Sequence, residues 1–296
     1  MSDPKEQPQE YTSTYFVQDR ENIEEMTRLD IQDKMLTEGQ GGALPELADP
    51  SHLRRVLDVG CGTGEWLLET ARTYPTIERL IGVDISGKMI EYARAKALDA
   101  GLAERVQFQM MDAQQTLEFP EASFDLVNQR FGHSWIRTWE WTKILLEYQR
   151  VCCLGGIIRI TECEDTIESN SPALTKLWNL ILETFYRSGR LFTQKSDGLT
   201  GELVRLMTEH GIQDVKSHLH TLVYAAGTQM GQYFYEDEVR FFRTALPFFQ
   251  KWIRVPDDYQ EIYEQALKEI QQPGFVATLK VLTVWGTRPD GKLPLM

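Results

Sequence analysis

The sequence predicts an α/β protein built on a doubly wound, mostly parallel sheet. Three observations lead there. Between residues 53 and 164, short apolar runs alternate with helix-patterned segments. The first run, "RRVLDVG", ends in glycines at alternate positions, Gly60, Gly62 and Gly64. Three successive runs carry an acid at or near their ends: Asp58, Asp84 and Asp112. Parallel strands are covered on both faces, so they read as continuous apolar runs, and each pair needs a crossover helix.

The elements follow in order. Residues 1–14 are polar and rich in Pro, Gln and Glu, which predicts a disordered tail. From Tyr15 the pattern turns helical: Ile23, Met26 and Leu29 recur at spacing three, with Asp19 as a candidate cap. This gives an N-terminal helical segment, 15–50, ending in the loop "GQGGALPELADP". Residues 51–165 form the core. "EWLLETARTY" is a helix, "RLIGVDIS" the second strand, and Ser86 caps "GKMIEYARAKALDAG". "VQFQMMDA" and "FDLVNQR" are the third and fourth strands, "TKILLEYQRV" a helix and "GGIIRITE" the fifth strand. Residues 166–253 are a helical, aromatic cap with one more core strand, "VKSHLHTLVYAA". Its first helix starts with Ser171 as cap and Pro172 in the first turn. "VRFFRTALPFFQKW" is also helical. Residues 254–296 add the helix "YQEIYEQALKEI" and a closing strand, "FVATLKVLTVWGT".

Composition narrows the function. The chain has 296 residues and a formal net charge of −13, which disfavours a nucleic-acid partner. No basic segment followed by an apolar one opens the chain, and no long charge-free apolar stretch occurs, so the reading is cytoplasmic, without a membrane partner. Cys61, Cys152, Cys153 and Cys163 form no CxxC pair, and His218 and His220 lack a Cys or acid cluster beside them, so no metal is expected.

The glycine turn lies where such a sheet binds ligands, beyond the carboxyl end of its first strand. A P-loop needs Lys and Ser/Thr after the turn; here Glu65 and Trp66 follow Gly64. A dinucleotide loop reads G-x-G-x-x-G, which places Glu65 at the third position, where it would repel a pyrophosphate. A cationic ribonucleoside fits better. Asp84 ends the second strand roughly 20 residues on, at the spacing of an acid that accepts from a ribose diol. Asp112 ends the third strand, where a carboxylate can accept from an exocyclic amine.

These segments resemble the class I S-adenosylmethionine-dependent methyltransferases. "VLDVGCGTG" is similar to their first motif, "IGVDIS" to their ribose-binding segment and "FQMMDA" to their adenine-binding segment. "LLEYQRVCCLGGIIRITE" resembles their helix–turn–strand segment, with "VCCLGG" where proline and lysine are common. The resemblance implies a Rossmann-like, seven-stranded sheet with only the last strand antiparallel, a helical lid at the N-terminus and an insertion after strand five. It implies S-adenosylmethionine as cofactor and S-adenosylhomocysteine as product. Asp84 would hold the ribose, Asp112 and Ala113 the adenine, with Ile85 and Met89 against the adenosine. Asp58, Gly60, Cys61, Gly62 and Asn128 complete the cofactor set, and Tyr15 or Arg28 would meet the methionine carboxylate, with Gln32 in the same stretch.

A sulfonium methyl is already activated, so the protein must mainly align the acceptor, with a base only where a proton has to leave. In "NQRFGHSW", Gln129 and Arg130 stand at the strand edge and His133 just beyond as the candidate base. Glu164, after strand five, is expected to face the cleft, and Glu162 to orient loops. Aromatics in the insertion, such as Trp178 and Phe185, suggest a pocket for a small, partly apolar acceptor. The expected function is methylation of a quinone-like or natural-product metabolite by a monomer or homodimer. Methylation of a protein or peptide, and non-catalytic regulatory binding of the nucleoside, stand as alternatives.

Overall fold

The computed structural model describes Tyr15 and residues 23–290. The expected tail at 1–14 and the Asp19 cap lie outside these. The chain opens with α1 (Ile23–Gln40), then alternates β1 (Arg55–Val59), α2 (Glu65–Thr73), β2 (Arg79–Asp84), α3 (Gly87–Asp99), β3 (Val106–Met110) and β4 (Phe124–Arg130). There follow α4 (Trp141–Val151), β5 (Cys152–Cys163), the two-residue β6 (Glu168–Ser169), α5 (Pro172–Arg187), α6 (Thr200–Glu209) and β7 (Gln213–Ala225). The chain closes with α7 (Gln229–Thr244), α8 (Leu246–Trp252), α9 (Tyr259–Ile270) and β8 (Val276–Thr287).

Strands β3, β2, β1, β4 and β5 lie side by side in that order, all parallel. β8 inserts antiparallel between β5 and β7, and β7 therefore runs with the parallel set. The strip β6 pairs with the first residues of β8, which makes eight strands where seven were expected. The expected helix "VRFFRTALPFFQKW" is split: Ala245 separates α7 from α8, and Pro247 supplies the first turn of the new helix.

The chain crosses from β3 at one edge back to β4 beside β1, so the sheet's winding reverses at β1 and β4. Their register pairs Asp58 with Asn128. The crevice above this reversal is where ligands of open α/β sheets sit. Two apolar clusters fill the two faces. One packs α2 and α3 on β1–β3; the other joins β4, β5 and β8 to α4, α5 and the cap. Caps fix where the helices begin. Ser86 accepts from Met89 N at 3.3 Å to start α3, and Ser171 from Leu174 N at 3.1 Å to start α5. Among the described residues no helix is long and apolar enough to cross a membrane.

Candidate active site

The glycine turn is strapped to the tip of β2. Gly60 N and Cys61 N both donate to Val83 O, at 2.8 and 3.0 Å. Gly62 N donates to Asp84 Oδ2 at 3.1 Å, and Ser86 N to Asp84 Oδ1 at 2.8 Å. The Asp84 carboxylate thus fixes the turn while still lining the cavity beside it. The glycines divide their work. At Gly62 (φ +51°) a Cβ would meet only Leu29, at 3.9 Å, so the turn is open on its cavity side. At Gly64 (φ +76°) a Cβ would stand 2.4 Å from the Phe108 ring, so that glycine is required by the protein's own packing.

One cavity of about 210 Å³ runs from this turn into the cap. It is lined by twelve of the residues singled out in the sequence: Tyr15, Arg28, Asp58, Gly60, Cys61, Gly62, Asp84, Ile85, Met89, Asp112, Ala113 and His133. Asp112 lies at its rim, its Oδ1 accepting from Gln114 N at 2.9 Å. Cys61 is no nucleophile: burial, then the charges of Asp84 and Asp58, hold its thiol well above the usual value.

Two sequence candidates lie outside the cavity. Asn128 sits under it, fully buried, donating to Asp58 Oδ1 at 2.7 Å and accepting from Arg159 Nη1 at 2.7 Å. It holds Asp58 in place. Burial raises the Asp58 carboxyl to about 7, despite the Asn128 hydrogen bond and the Arg159 charge. Glu164 is the other. The strand ends at Cys163, and the Glu164 carboxylate turns outward to within 4.0 Å of Lys280. The next residue, Asp165, takes the place in the wall expected of Glu164.

Arg28 and Tyr15 line the cavity, but with partners inside the protein. Arg28 is buried. It donates from Nη2 to Glu25 Oε1 at 2.7 Å, from Nη1 to Asp237 Oδ1 at 3.1 Å and from Nη2 to Tyr15 OH at 3.3 Å. Tyr15 OH donates to Glu25 at 2.9 Å. The same guanidinium therefore joins α1 to α7. Arg130, at the end of β4, also lines the cavity and is paired with Asp33 of α1. Glu65, read as repelling phosphate, shares its charge with Lys96 at 2.5 Å and Arg72 at 3.2 Å. With that charge compensated, the case against a dinucleotide loop rests on the G-x-G-x-G spacing, which puts no glycine at the third position of G-x-G-x-x-G.

At the far end, His133 lies on a one-turn helix, Gly132–Ser134, that follows Phe131 in left-handed conformation (φ +52°). Glu162 anchors it. The carboxylate contacts His133 Nδ1 and accepts from Gly132 N at 2.7 Å and from Gln129 Nε2 at 2.8 Å. On the other side, His133 Nε2 is 3.6 Å from Asp165 Oδ1. Burial disfavours the charged imidazole, but the two carboxylates overcome it, and His133 titrates well above 6.5. The ring packs edge-on against Phe185, 5.1 Å between centroids. Trp178, Phe234 and Phe241 continue the aromatic wall. Glu238, on α7, accepts from Trp178 Nε1 at 3.2 Å, and burial holds its carboxyl well above the usual range. Asp165, Asp237 and Glu238 have no signature in the sequence; each acts at the cavity only because a loop end or a cap helix folds over the sheet.

A sheet of this order, with a glycine turn after β1 and acids at the tips of β2 and β3, defines the class I S-adenosylmethionine-dependent methyltransferase fold. Residues 56–156, about a third of the chain, match the family described as Methyltransferase domain. Aklanonic acid methyltransferase DauC of Streptomyces sp. (strain C5) is 40% identical over 87 residues, 29% of this chain and 39% of that protein. The ubiquinone/menaquinone biosynthesis C-methyltransferase UbiE of Stutzerimonas stutzeri is 36% identical over 174 residues, 58% of each chain. The matches thus span 39% and 58% of these relatives' lengths, under two thirds of each. The fold is also that of Haemonchus contortus phosphoethanolamine N-methyltransferase 2, solved with S-adenosyl-L-methionine. That match has a TM-score of 0.55 and 18% identity, and covers 96% of this chain and 62% of that one.

Proposed function

We propose that this protein transfers a methyl group from S-adenosylmethionine to a small, partly apolar acceptor carrying a hydroxyl, enol or amine. The observation that carries this reading is one cavity with two unlike ends. One end is lined by Asp84, Asp112 and an open glycine turn; the other is aromatic and holds His133 and Asp165. The first end suits a cationic nucleoside. Asp84 has the acceptor capacity for a ribose diol, Asp112 for an exocyclic amine, and Gly62 leaves the approach clear. Ile85 and Met89 supply an apolar seat, and Arg130 with Gln32 lies where the amino-acid portion would extend. When bound, the donor supplies a sulfonium methyl group.

The second end excludes water and holds the acceptor by its flat apolar body. DauC is named for aklanonic acid and UbiE for ubiquinone/menaquinone biosynthesis. Two measurements test the reading. Calorimetry should show S-adenosylhomocysteine binding to the full chain, with ATP and NAD failing to compete. S-adenosylhomocysteine should then be released from S-adenosylmethionine with hydroquinones or polyhydroxylated aromatics, and not with histone peptides or with buffer alone. Absence of nucleoside binding, or turnover confined to peptides, overturns it.

A further inference from the structure

The cavity holds one acid whose geometry the roles above do not use. Asp165 is 2% exposed, lines the cavity, and its Oδ2 is buried with no hydrogen-bond partner. The backbone is pinned, since Asp165 N donates to Ser196 O at 3.0 Å. The other oxygen, Oδ1, lies 3.6 Å from His133 Nε2. Leaving a buried carboxylate oxygen unpaired costs stability, and in a ligand cavity it marks a place for a donor. We infer that Asp165, rather than His133, takes the proton of the acceptor, and that His133 and Glu162 position it. This rests on the methyl-transfer reading above and assigns its proton step.

His133 is badly placed to be the base. Its Nδ1 is engaged by Glu162 and its Nε2 faces Asp165, so neither nitrogen is turned to an acceptor without competing with a carboxylate. A protonated ring fits both contacts. Asp165 is faced by His133 from the 132–134 turn and by Glu162, Cys163 and Glu164 from its own segment, with aromatic carbon across the cavity. Burial first, then the two glutamates, raise its carboxyl to about 7 against the pull of His133. A base works best when its pKa lies near the working pH.

The step balances without a further reactant. The X–H bond of the acceptor breaks, its proton goes to Asp165 Oδ2, and the electron pair stays on X. That pair forms the bond to the methyl carbon as the C–S pair returns to sulfur. Asp165 afterwards releases the proton to solvent. The acceptor must therefore present a phenol, enol or amine hydrogen at this corner.

The test uses the full chain, S-adenosylmethionine as donor and 1,4-naphthohydroquinone as acceptor probe. D165N should bind S-adenosylhomocysteine within about twofold of the parent, which also shows that it folds. Its kcat should fall about 100-fold or more, the usual worth of a general base. The parent's kcat should lose activity below pH about 7, and this acid limb should be absent in D165N. H133Q should keep the limb but shift it upward, because the neighbouring positive charge is gone. A D165N enzyme within threefold of the parent, or one that retains the limb, overturns the assignment. Where the parent does not methylate the probe, infrared difference spectra of the S-adenosylhomocysteine complex decide. A carboxylic-acid band that titrates near pH 7 and is missing in D165N supports the assignment, and its absence overturns it. Failure of the parent to bind S-adenosylhomocysteine refutes methyl transfer itself, which separates the two failures.

Discussion

Gly64→Ala should destabilise the fold by an amount the geometry fixes. Two costs add. The residue sits at φ +76°, and holding a non-glycine residue in the left-handed region costs about 1–2 kcal/mol. The new Cβ would also lie 2.4 Å from Phe108 Cζ, 2.5 Å from Cε1 and 3.1 Å from Ala93 Cβ. The ring is buried between α3 and the sheet and has little room to withdraw, so an overpacking cost of about 1–3 kcal/mol follows. The sum, about 2–5 kcal/mol, is a large share of the roughly 5–15 kcal/mol that holds a typical domain. Urea unfolding measures it as a lowered midpoint with little change in slope. A double-mutant cycle with Phe108→Leu separates the parts. Trimming the ring should recover the overpacking share, a coupling of about 1–3 kcal/mol, and leave the backbone share. A loss below about 1 kcal/mol, or a cycle with no coupling, would refute the view that this glycine exists for packing rather than for ligand approach.

Three further perturbations follow. Asp84→Ala should raise the Kd for S-adenosylhomocysteine about 100- to 10,000-fold, since two charged hydrogen bonds to a diol are worth about 1.5–3 kcal/mol each; a change under fivefold by calorimetry would remove Asp84 from the ribose role. Arg28→Met should lower stability by about 3–5 kcal/mol in thermal or urea unfolding, because it leaves Glu25 and Asp237 buried without their cation. Asp58 titrates near 7 when folded against an ordinary value of 3.8, so the protonated form is favoured by folding; its contribution is complete below pH 3.8 and is lost as pH rises through 7. Asp58→Asn should therefore flatten the fall in stability between pH 5 and pH 8 by about 2–3 kcal/mol, and parallel pH slopes in the two proteins would contradict it.

What the sequence made legible is what is local to a strand and its following turn. The positions of Asp84, Asp112 and the glycines depend only on where a strand ends, and the apolar runs mark those ends. Orientation within a doubly covered sheet is less visible. Asn128 and Gln129 lie in a strand buried on both faces, so alternation of apolar and polar residues does not say which points to the cavity. The structure sends Asn128 beneath Asp58 and Gln129 to Glu162. The exchange of Glu164 for Asp165 has a similar cause, since the strand's alternation stops at Cys163 and the following backbone turns toward Ser196. Arg28 read as free to meet a carboxylate because its partner Asp237 is 209 residues away. No periodicity within α1 reports that pairing.

The buried Arg28 also sets how charge would divide in any separation of α1 from α7. Glu25 stands one turn from Arg28 on the same helix, whereas Asp237 belongs to α7. Any separation of α1 from α7 carries Glu25 away with the guanidinium and strands Asp237 alone. Asp237 titrates near 6 while the pair is intact, so it is half-neutral in mildly acidic solution. If α1 moved away from α7, it would leave as a self-compensated ion pair, and the electrostatic cost would fall mainly on the aspartate left behind. Acidifying the solution should reduce that cost and ease such a separation.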